Sequence, residues 1–572
     1  MRSIAFLRDS KVTQIVRISA AETKNTQVFH YLVVLTPLIL SAFTHIWNPL
    51  GFPTIRTDEG IYMERALRIL QGGGPQVPIE DFGRPYDHPY FSQIFLASIL
   101  GSIGYPDSVR NSTDVYSPEL LYLIPRIIMG IIAVASTFII YKICERRYNE
   151  RVAFAAAVLF AVMPLSWLTR RLYIDPIQLP FILLAILFAV YMTKRDKNIT
   201  PNLNPLALLS GIFLGLSIFT KIPAICMIPL VGYLVFKGAS NDKNKNSLTI
   251  LVLWLVPVIL IPSIWPAFAI LNGQFDSWYG DVLWQAGRVG GISDTFRSIL
   301  EMDPILVLMG LAGAVYVTIF KRDLFVFIWI IPFVIFFSFF IGRMAITFWV
   351  MMLPAFCIAA GILIADLTKH LENRVKASEI QYKSRISYYL EDKSKPFRER
   401  ISALVLNRRV LVFPIVLTTI TVIGLVSTIL LITTDLNSTY FELYRFIISH
   451  MSESENSPND SNVLLVGSAK LRSFSWIPKY VMRGEADNFD YRASPLRESF
   501  QNKSVILLSD KGDIDRFINS NPKDYVEHKN LYNSTHQIGE FMDKTIAYDR
   551  DNYPYTNMIE NRGMGEIVVR VN

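Results

Sequence analysis

Charge is scarce in this chain, and cysteine scarcer still. Only 18% of its 572 residues are Asp, Glu, Lys or Arg and 51% are hydrophobic, whereas soluble domains carry roughly 25% charged residues. Three cysteines, Cys144, Cys226 and Cys357, sit at unrelated spacings in or beside apolar blocks; they exclude a disulfide framework and a cysteine-based zinc motif. A basic domain interleaved with aromatics is also missing, which argues against nucleic acid as a partner. The residues before Phe29 are polar and basic, and no small-residue cleavage site follows the first apolar block, so a cleavable leader is not expected. There is no internal repeat of the kind transporters often show.

What is abundant is apolar sequence in blocks of bilayer-crossing length. The expected class is an all-α polytopic membrane protein of about eleven transmembrane helices with a small C-terminal extracytoplasmic α/β domain. Basic residues flanking spans mark the cytoplasmic side. Arg2, Arg8, Lys11, Arg17 and Lys24 put residues 1–28 there. Spans are expected near 29–47, 120–143, 154–168, 176–192, 205–219, 222–236, 248–271, 305–320, 324–341, 345–367 and 410–432. The transmembrane domain is thus 29–433, with an outer loop at 48–118 and a basic cytoplasmic loop at 368–409. Within the outer loop, 90–103 is apolar but too short to span and suits an interfacial helix. Residues 434–572 form a soluble unit on the outer side, with short buried-strand runs at 463–466, 505–508 and 567–571 and a helix-compatible stretch at 513–519. Five of six Asn-x-Ser/Thr sequons, at Asn111, Asn437, Asn459, Asn502 and Asn533, fall outside by this topology and Asn198 inside.

Several cations break the topology rule. Arg170, Arg171, Lys221 and Arg343 stand at outer span ends, where basic residues should be rare. Singly, each reads equally well as a side chain snorkelling to lipid headgroups. As a set they give three loops one task, holding an anionic phosphate at the interface. The outer loop supplies acids: Asp58 and Glu59 in Arg56-Thr-Asp-Glu-Gly-Ile-Tyr62, then Tyr86-Asp87-His88-Pro89. A carboxylate facing a cationic phosphate site is what inverting sugar transfer requires. It removes a proton from the acceptor hydroxyl, while cations stabilise the leaving phosphate. Asp87 and His88 face the same interface and can orient substrate, with His88 alternatively a polar cap. Asp175 reads equally as a helix N-cap with a local ion pair.

The order of these residues resembles the protein O-mannosyltransferase and aminoarabinose-transferase group of GT-C glycosyltransferases. It runs from Asp58-Glu59 with Tyr62, through Asp87-His88-Pro89 and Arg126, to Arg170 with Ile174-Asp175-Pro176, and Lys221 in Phe219-Thr-Lys. The resemblance covers roughly 29–367. It implies that Asp58 is the catalytic carboxylate and that Glu59 supports it or contacts the acceptor. It implies carrier-phosphate binding by Lys221 and by Arg126, Arg170 and Arg343; Arg171, beside Arg170 at the same span end, joins this set by its charge, and Tyr62, Asp87, His88 and Asp175 stand with them as substrate-site candidates. The usual His-Pro-Pro turn has Tyr90 in place of its second proline. Some relatives bind a divalent cation near this loop and others need none; the residues themselves define no metal site.

The reaction so implied moves a monosaccharide, mannose being one candidate, from a polyprenyl- or dolichyl-phosphate donor to a protein, glycan or lipid acceptor on the outer face. Two other readings were weighed. An oligosaccharyltransferase shares an outer acidic loop, but its Trp-Trp-Asp-Tyr-Gly motif is missing. A lipid-linked sugar transporter or flippase would place its charges near the membrane midplane, whereas these gather at one face.

Overall fold

A computed structural model of the chain describes residues 31–76, 84–109, 117–193, 203–241, 246–288, 291–341, 345–389 and 412–454. Beyond these it describes 463–467, 473–474, 476–481, 490–492, 504–510, 532–542 and 566–571. The membrane part is helical throughout: α1 (Tyr31–Ile46), α2 (Thr57–Leu70), α3 (Phe91–Ser102), α4 (Pro118–Arg147), α5 (Glu150–Val162), α6 (Ile174–Thr193), α7 (Leu203–Thr220) and α8 (Ile228–Ser240). It continues with α9 (Ser247–Leu271), α10 (Phe275–Ala286), α11 (Ile292–Met302), α12 (Pro304–Ile319), α13 (Phe325–Ile335), α14 (Trp349–Tyr389) and α15 (Val412–Ile432).

Every expected span coincides with an apolar helix; length and composition do not by themselves confirm the count of eleven crossings. Among the described residues seven are long and apolar enough to cross, or nine if two bent pairs each count once. The bends have local causes. Pro164 follows α5 and turns the chain by 70° into a 3-10 segment, Pro164–Arg170. Pro304 opens α12 at 110° to α11. Proline cannot continue the hydrogen-bond ladder of the preceding helix, though it fits the first turn of a new one. Among the described residues α1 and α13 are shorter apolar helices, and a π-helical segment, Phe336–Ile341, continues α13. Helices also occupy part of two of the expected loops. The 48–118 segment contains α2 as well as the anticipated short helix α3, and α14 runs to Tyr389, through half of the expected cytoplasmic loop.

α4 through α9 pack pairwise into the main core. Gly211 lets α7 lie against α9, because a Cβ there would meet the Trp254 backbone carbonyl; small residues serve this purpose between membrane helices. α9 turns much of its other face outward, with Leu260, Ile264 and Leu271 exposed, as a helix facing lipid would.

Among the described residues the C-terminal unit holds α16 (Ser438–Ser454), the short α17 (Trp476–Tyr480) and five strands: β1 (Val463–Gly467), β2 (Asp490–Arg492), β3 (Ser504–Asp510), β4 (His536–Met542) and β5 (Glu566–Val571). The sheet order is β2-β1-β3-β5-β4. β1 pairs in parallel with β2 and β3, and β5 runs antiparallel to β3 and β4. The three expected strand runs are β1, β3 and β5; the helix expected at 513–519 lies outside the described residues. This unit shares a core with the membrane part. Tyr444, Phe474, Trp476 and Ile477 pack with Met63, Leu67 and Tyr122. Gly60 of α2 lies directly against the Ser473 carbonyl, and Trp476 Nε1 donates to the Tyr122 hydroxyl at 3.1 Å.

Candidate active site

Asp58 and Glu59 open α2 rather than lying in a loop. Both acids stand in its first turn, where the helix dipole favours negative charge. Successive helical residues diverge by about 100°, and here that separates two fates. Asp58 opens into a cavity of about 610 Å³ together with Arg56, Thr57 and Tyr62. Glu59 points into the protein and is fully buried.

The cavity is built from elements far apart in sequence. Asp87, His88 and Pro89 come from the turn before α3. Trp167, Arg171, Tyr173 and Asp175 come from the 3-10 segment and the start of α6, and Lys221 from the break after α7. That break exists because Pro223 ends the helical ladder; Lys221 itself is extended at φ −157°. α9 and α10 contribute Trp265, Val282 and Gln285, and Arg288 follows α10. Phe336 and residues 345–348 close the remaining side.

The acids of the cavity are treated unequally. Asp175 accepts both contacts of the Lys221 ammonium, at 2.8 and 2.9 Å. Asp87 is bound at 2.7 Å by Arg65, a fully buried guanidinium. Burial works to raise the Asp87 pKa, but Arg65 and His88 together hold it below the usual carboxylate range. Among the described residues no hydrogen bond ties the Asp58 carboxylate. It is open to the cavity yet walled by protein, and that burial raises its pKa. Lys221, Arg288 and Arg171 pull the other way, while Asp87 adds to the rise. His88 is held down to about 4, first by burial and then, against Asp87, by Lys221, Arg65 and Arg288. It is therefore a neutral imidazole at physiological pH, able to donate or accept a hydrogen bond but carrying no charge.

Seven of the sequence candidates thus line one cavity: Asp58, Tyr62, Asp87, His88, Arg171, Asp175 and Lys221. Glu59, Arg126 and Arg170 lie beside it, in a fastening layer. Arg126 grips Glu59 through Nε and Nη2 at 3.0 to 3.2 Å, and its Nη1 donates to the carbonyls of Pro49 and Pro53. Arg171 reaches Glu59 at 3.8 Å. Arg170 donates to the carbonyls of Thr44, Trp47 and Asn48. Arg343 lies outside the described residues. Removing one member of a buried, hydrogen-bonded ion pair is costly, so Glu59→Ala is expected to destabilise the protein by about 3–5 kcal/mol. Thermal unfolding in detergent measures this; an unchanged midpoint would contradict the fastening role.

The sequence reading missed Arg65, Tyr173, Trp265, Asp281 and Arg288. A signal for Arg65 was present: Asp58, Tyr62 and Arg65 recur at i, i+4 and i+7, one face of a helix. The polar character of the segment hides it, since a short amphipathic helix in an outer loop has little apolar sequence to announce it. Asp281 accepts from the Tyr86 amide at 2.9 Å and from Arg84 at 3.2 Å, which fixes α10 against the Asp87-His88 turn; nothing local announces that contact. Among the described residues no group of three or more His, Cys, Asp or Glu is arranged to hold a metal ion.

Comparison with known proteins follows the same outline. Residues 118–265 match the family model of dolichyl-phosphate-mannose-protein mannosyltransferases. That stretch includes Arg126, Arg170, Asp175 and Lys221 but not Asp58 or the Asp87-His88 turn. No curated protein sequence matches the chain. Among solved structures, ArnT from Cupriavidus metallidurans bound to undecaprenyl phosphate is similar over 95% of this chain and 98% of its own, at 13% identity and a TM-score of 0.54. The Archaeoglobus fulgidus oligosaccharyltransferase in its apo form is similar over 85% of this chain and 70% of its own, at 13% identity and a TM-score of 0.48. By its sequence over 118–265 and its fold over nearly its whole length, the chain resembles the protein mannosyltransferase and ArnT group of GT-C glycosyltransferases.

Proposed function

We propose that this protein is an inverting glycosyltransferase that moves a monosaccharide from a polyprenyl-phosphate carrier to an acceptor hydroxyl at the outer membrane face. The observation that carries this reading is that Asp58 lines one cavity with Arg171, Lys221 and Arg288. Asp58 accepts the proton of the acceptor hydroxyl as its oxygen attacks the anomeric carbon. The bond from that carbon to the carrier phosphate breaks, and its electron pair leaves with the phosphate, which becomes a monoester. The three cations stabilise the charge that grows there. Asp175 holds Lys221 in place, and Arg65 holds Asp87 where it and neutral His88 can orient sugar or acceptor. Tyr62, Tyr173 and Trp167 offer aromatic faces beside the acid, suited to the C–H surfaces of a sugar ring. The undecaprenyl phosphate bound by the structurally similar ArnT fits the same assignment of a lipid-linked donor.

The test is transfer by purified protein in lipid, offered labelled polyprenyl-phosphate mannose, glucose, galactose and aminoarabinose with peptide, glycan and lipid acceptors. Transfer from one of these donors is expected. Its absence with every donor, in folded protein, would sink the reading in favour of lipid-linked transport. The orientation has its own check. Asn533 is exposed and starts a sequon on the C-terminal unit, whereas Asn437 is fully buried. Expression in an N-glycosylating host should add a glycan at Asn533 and none at Asn437, read by mass spectrometry of the peptides. A C-terminal unit on the cytoplasmic side would carry neither.

A further inference from the structure

Asn437 reads in the sequence as a glycosylation acceptor, but the structure gives its amide other work. It sits at the start of α16, just beyond the last membrane helix, with no exposed surface. Its Nδ2 donates to the carbonyls of Leu50 at 2.7 Å, Gly51 at 3.2 Å and Pro53 at 2.9 Å. Its Oδ1 accepts from the Ile55 amide at 2.9 Å. One side chain therefore fastens four of the backbone polar groups of 50–55, a stretch without regular secondary structure of its own. Buried backbone groups must find partners, and for these four a side chain from the far end of the membrane domain is the partner.

Neighbouring contacts strengthen the same seam. Asn48 Nδ2 donates to the carbonyls of Ile432 at 2.9 Å and Thr434 at 3.1 Å, and the Leu436 amide donates to the Gly51 carbonyl at 2.9 Å. Arg126 shares the Pro53 carbonyl. Residues 50–55 run directly into Arg56, Thr57 and Asp58, the first of the cavity-lining residues.

We propose that Asn437 is a positioning residue for Asp58, holding the 50–55 strap so that the acid meets the reacting hydroxyl; this rests on the reading of Asp58 as the base of glycosyl transfer. The seam also makes the junction between the last membrane helix and the C-terminal unit part of the active-site framework. A reacting group displaced by about 1 Å loses about 100-fold in rate, so the expected signature is a fall in kcat and not in donor binding.

Asn437→Asp is the decisive variant. It is isosteric and keeps the acceptor for Ile55 but loses both N–H donors. Wild type, Asn437→Asp and Asn48→Asp would be compared by hydrogen exchange of the 51–58 amides and by steady-state transfer from the donor found active in the panel. The expected result for Asn437→Asp is exchange across 51–58 faster by about tenfold, the equivalent of a lost buried hydrogen bond. Its kcat should fall by about 100-fold with donor KM little changed, and Asn48→Asp should lie between it and wild type. Wild-type kcat in folded Asn437→Asp would overturn the proposal, and so would a loss of kcat without faster exchange in 51–58. Should Asn437→Asp not fold, Asn48→Asp decides: wild-type exchange and kcat in it overturn the proposal. The exchange measurement needs no turnover, so a wild type inactive with every donor would count against the transfer reading while exchange still judged the strap.

Discussion

Asp58→Asn is expected to leave the protein folded and able to bind a polyprenyl phosphate, while transfer falls by about 100- to 10,000-fold, the usual contribution of a general base. The amide matches the carboxylate in shape, and among the described residues no hydrogen bond to the side chain is lost with it. The pH dependence follows from the sign of the shift. Burial raises the Asp58 pKa above the ordinary carboxylate range, and a base works only when ionised. Wild-type activity should therefore rise with pH along a limb placed above that range. His88, held to about 4, changes charge below the working range and adds no break near the ordinary histidine pKa of about 6.5. Steady-state rates measured across pH check both statements. Full transfer by Asp58→Asn would remove the acid from the mechanism.

Lys221→Met has the second large effect, and it has two parts. Lys221 and Asp175 are both buried and bonded to each other. Removing the ammonium alone strands a buried carboxylate, at a cost of about 3–5 kcal/mol. It also removes a cation from the leaving phosphate, worth about 100- to 1000-fold in rate. The double variant Lys221→Met with Asp175→Leu separates the two. Replacing a buried pair by apolar groups of similar size is often neutral, so its thermal midpoint should recover towards wild type while transfer stays lost. Recovery of transfer along with stability would reduce Lys221 to a structural role. A third consequence concerns Asp58. Lys221 is among the charges that lower its pKa, so any residual activity of the single variant should show its acidic limb moved to higher pH.

Adjacent residues illustrate what local sequence conveys and what it does not. Asp58 and Glu59 looked like one acidic pair, and the resemblance to GT-C enzymes offered both to the chemistry. The helix that begins at Thr57 sends them in different directions: Asp58 to the cavity and Glu59 to Arg126. The cations divide in the same way. Arg170 and Arg171 are neighbours, yet Arg170 is spent on backbone carbonyls at the end of α1 while Arg171 lines the cavity. Spacing could show that these charges were out of place at span ends. It could not show which of them faced a common space, because that depends on helices hundreds of residues apart.

The sequence by itself determined the class: long apolar blocks can satisfy their backbone in lipid only as helices, and each such block is a helix in the structure. It determined the three longest apolar strand runs of the C-terminal unit, because β-branched and aliphatic residues between polar turns have few other homes. It also marked the acids and cations, since ionisable groups in apolar surroundings carry a cost that makes them conspicuous. The tertiary structure decided the rest. Two spans bend at prolines, Asn437 becomes a buried strap instead of a glycan site, and Arg65 and Asp281 brace a turn they do not adjoin in sequence. The physical reason is common to all three. Periodicity and charge report the local cost of placing a residue in lipid, water or core, whereas pairing is settled by non-local packing, and packing assigns each buried polar group its partner.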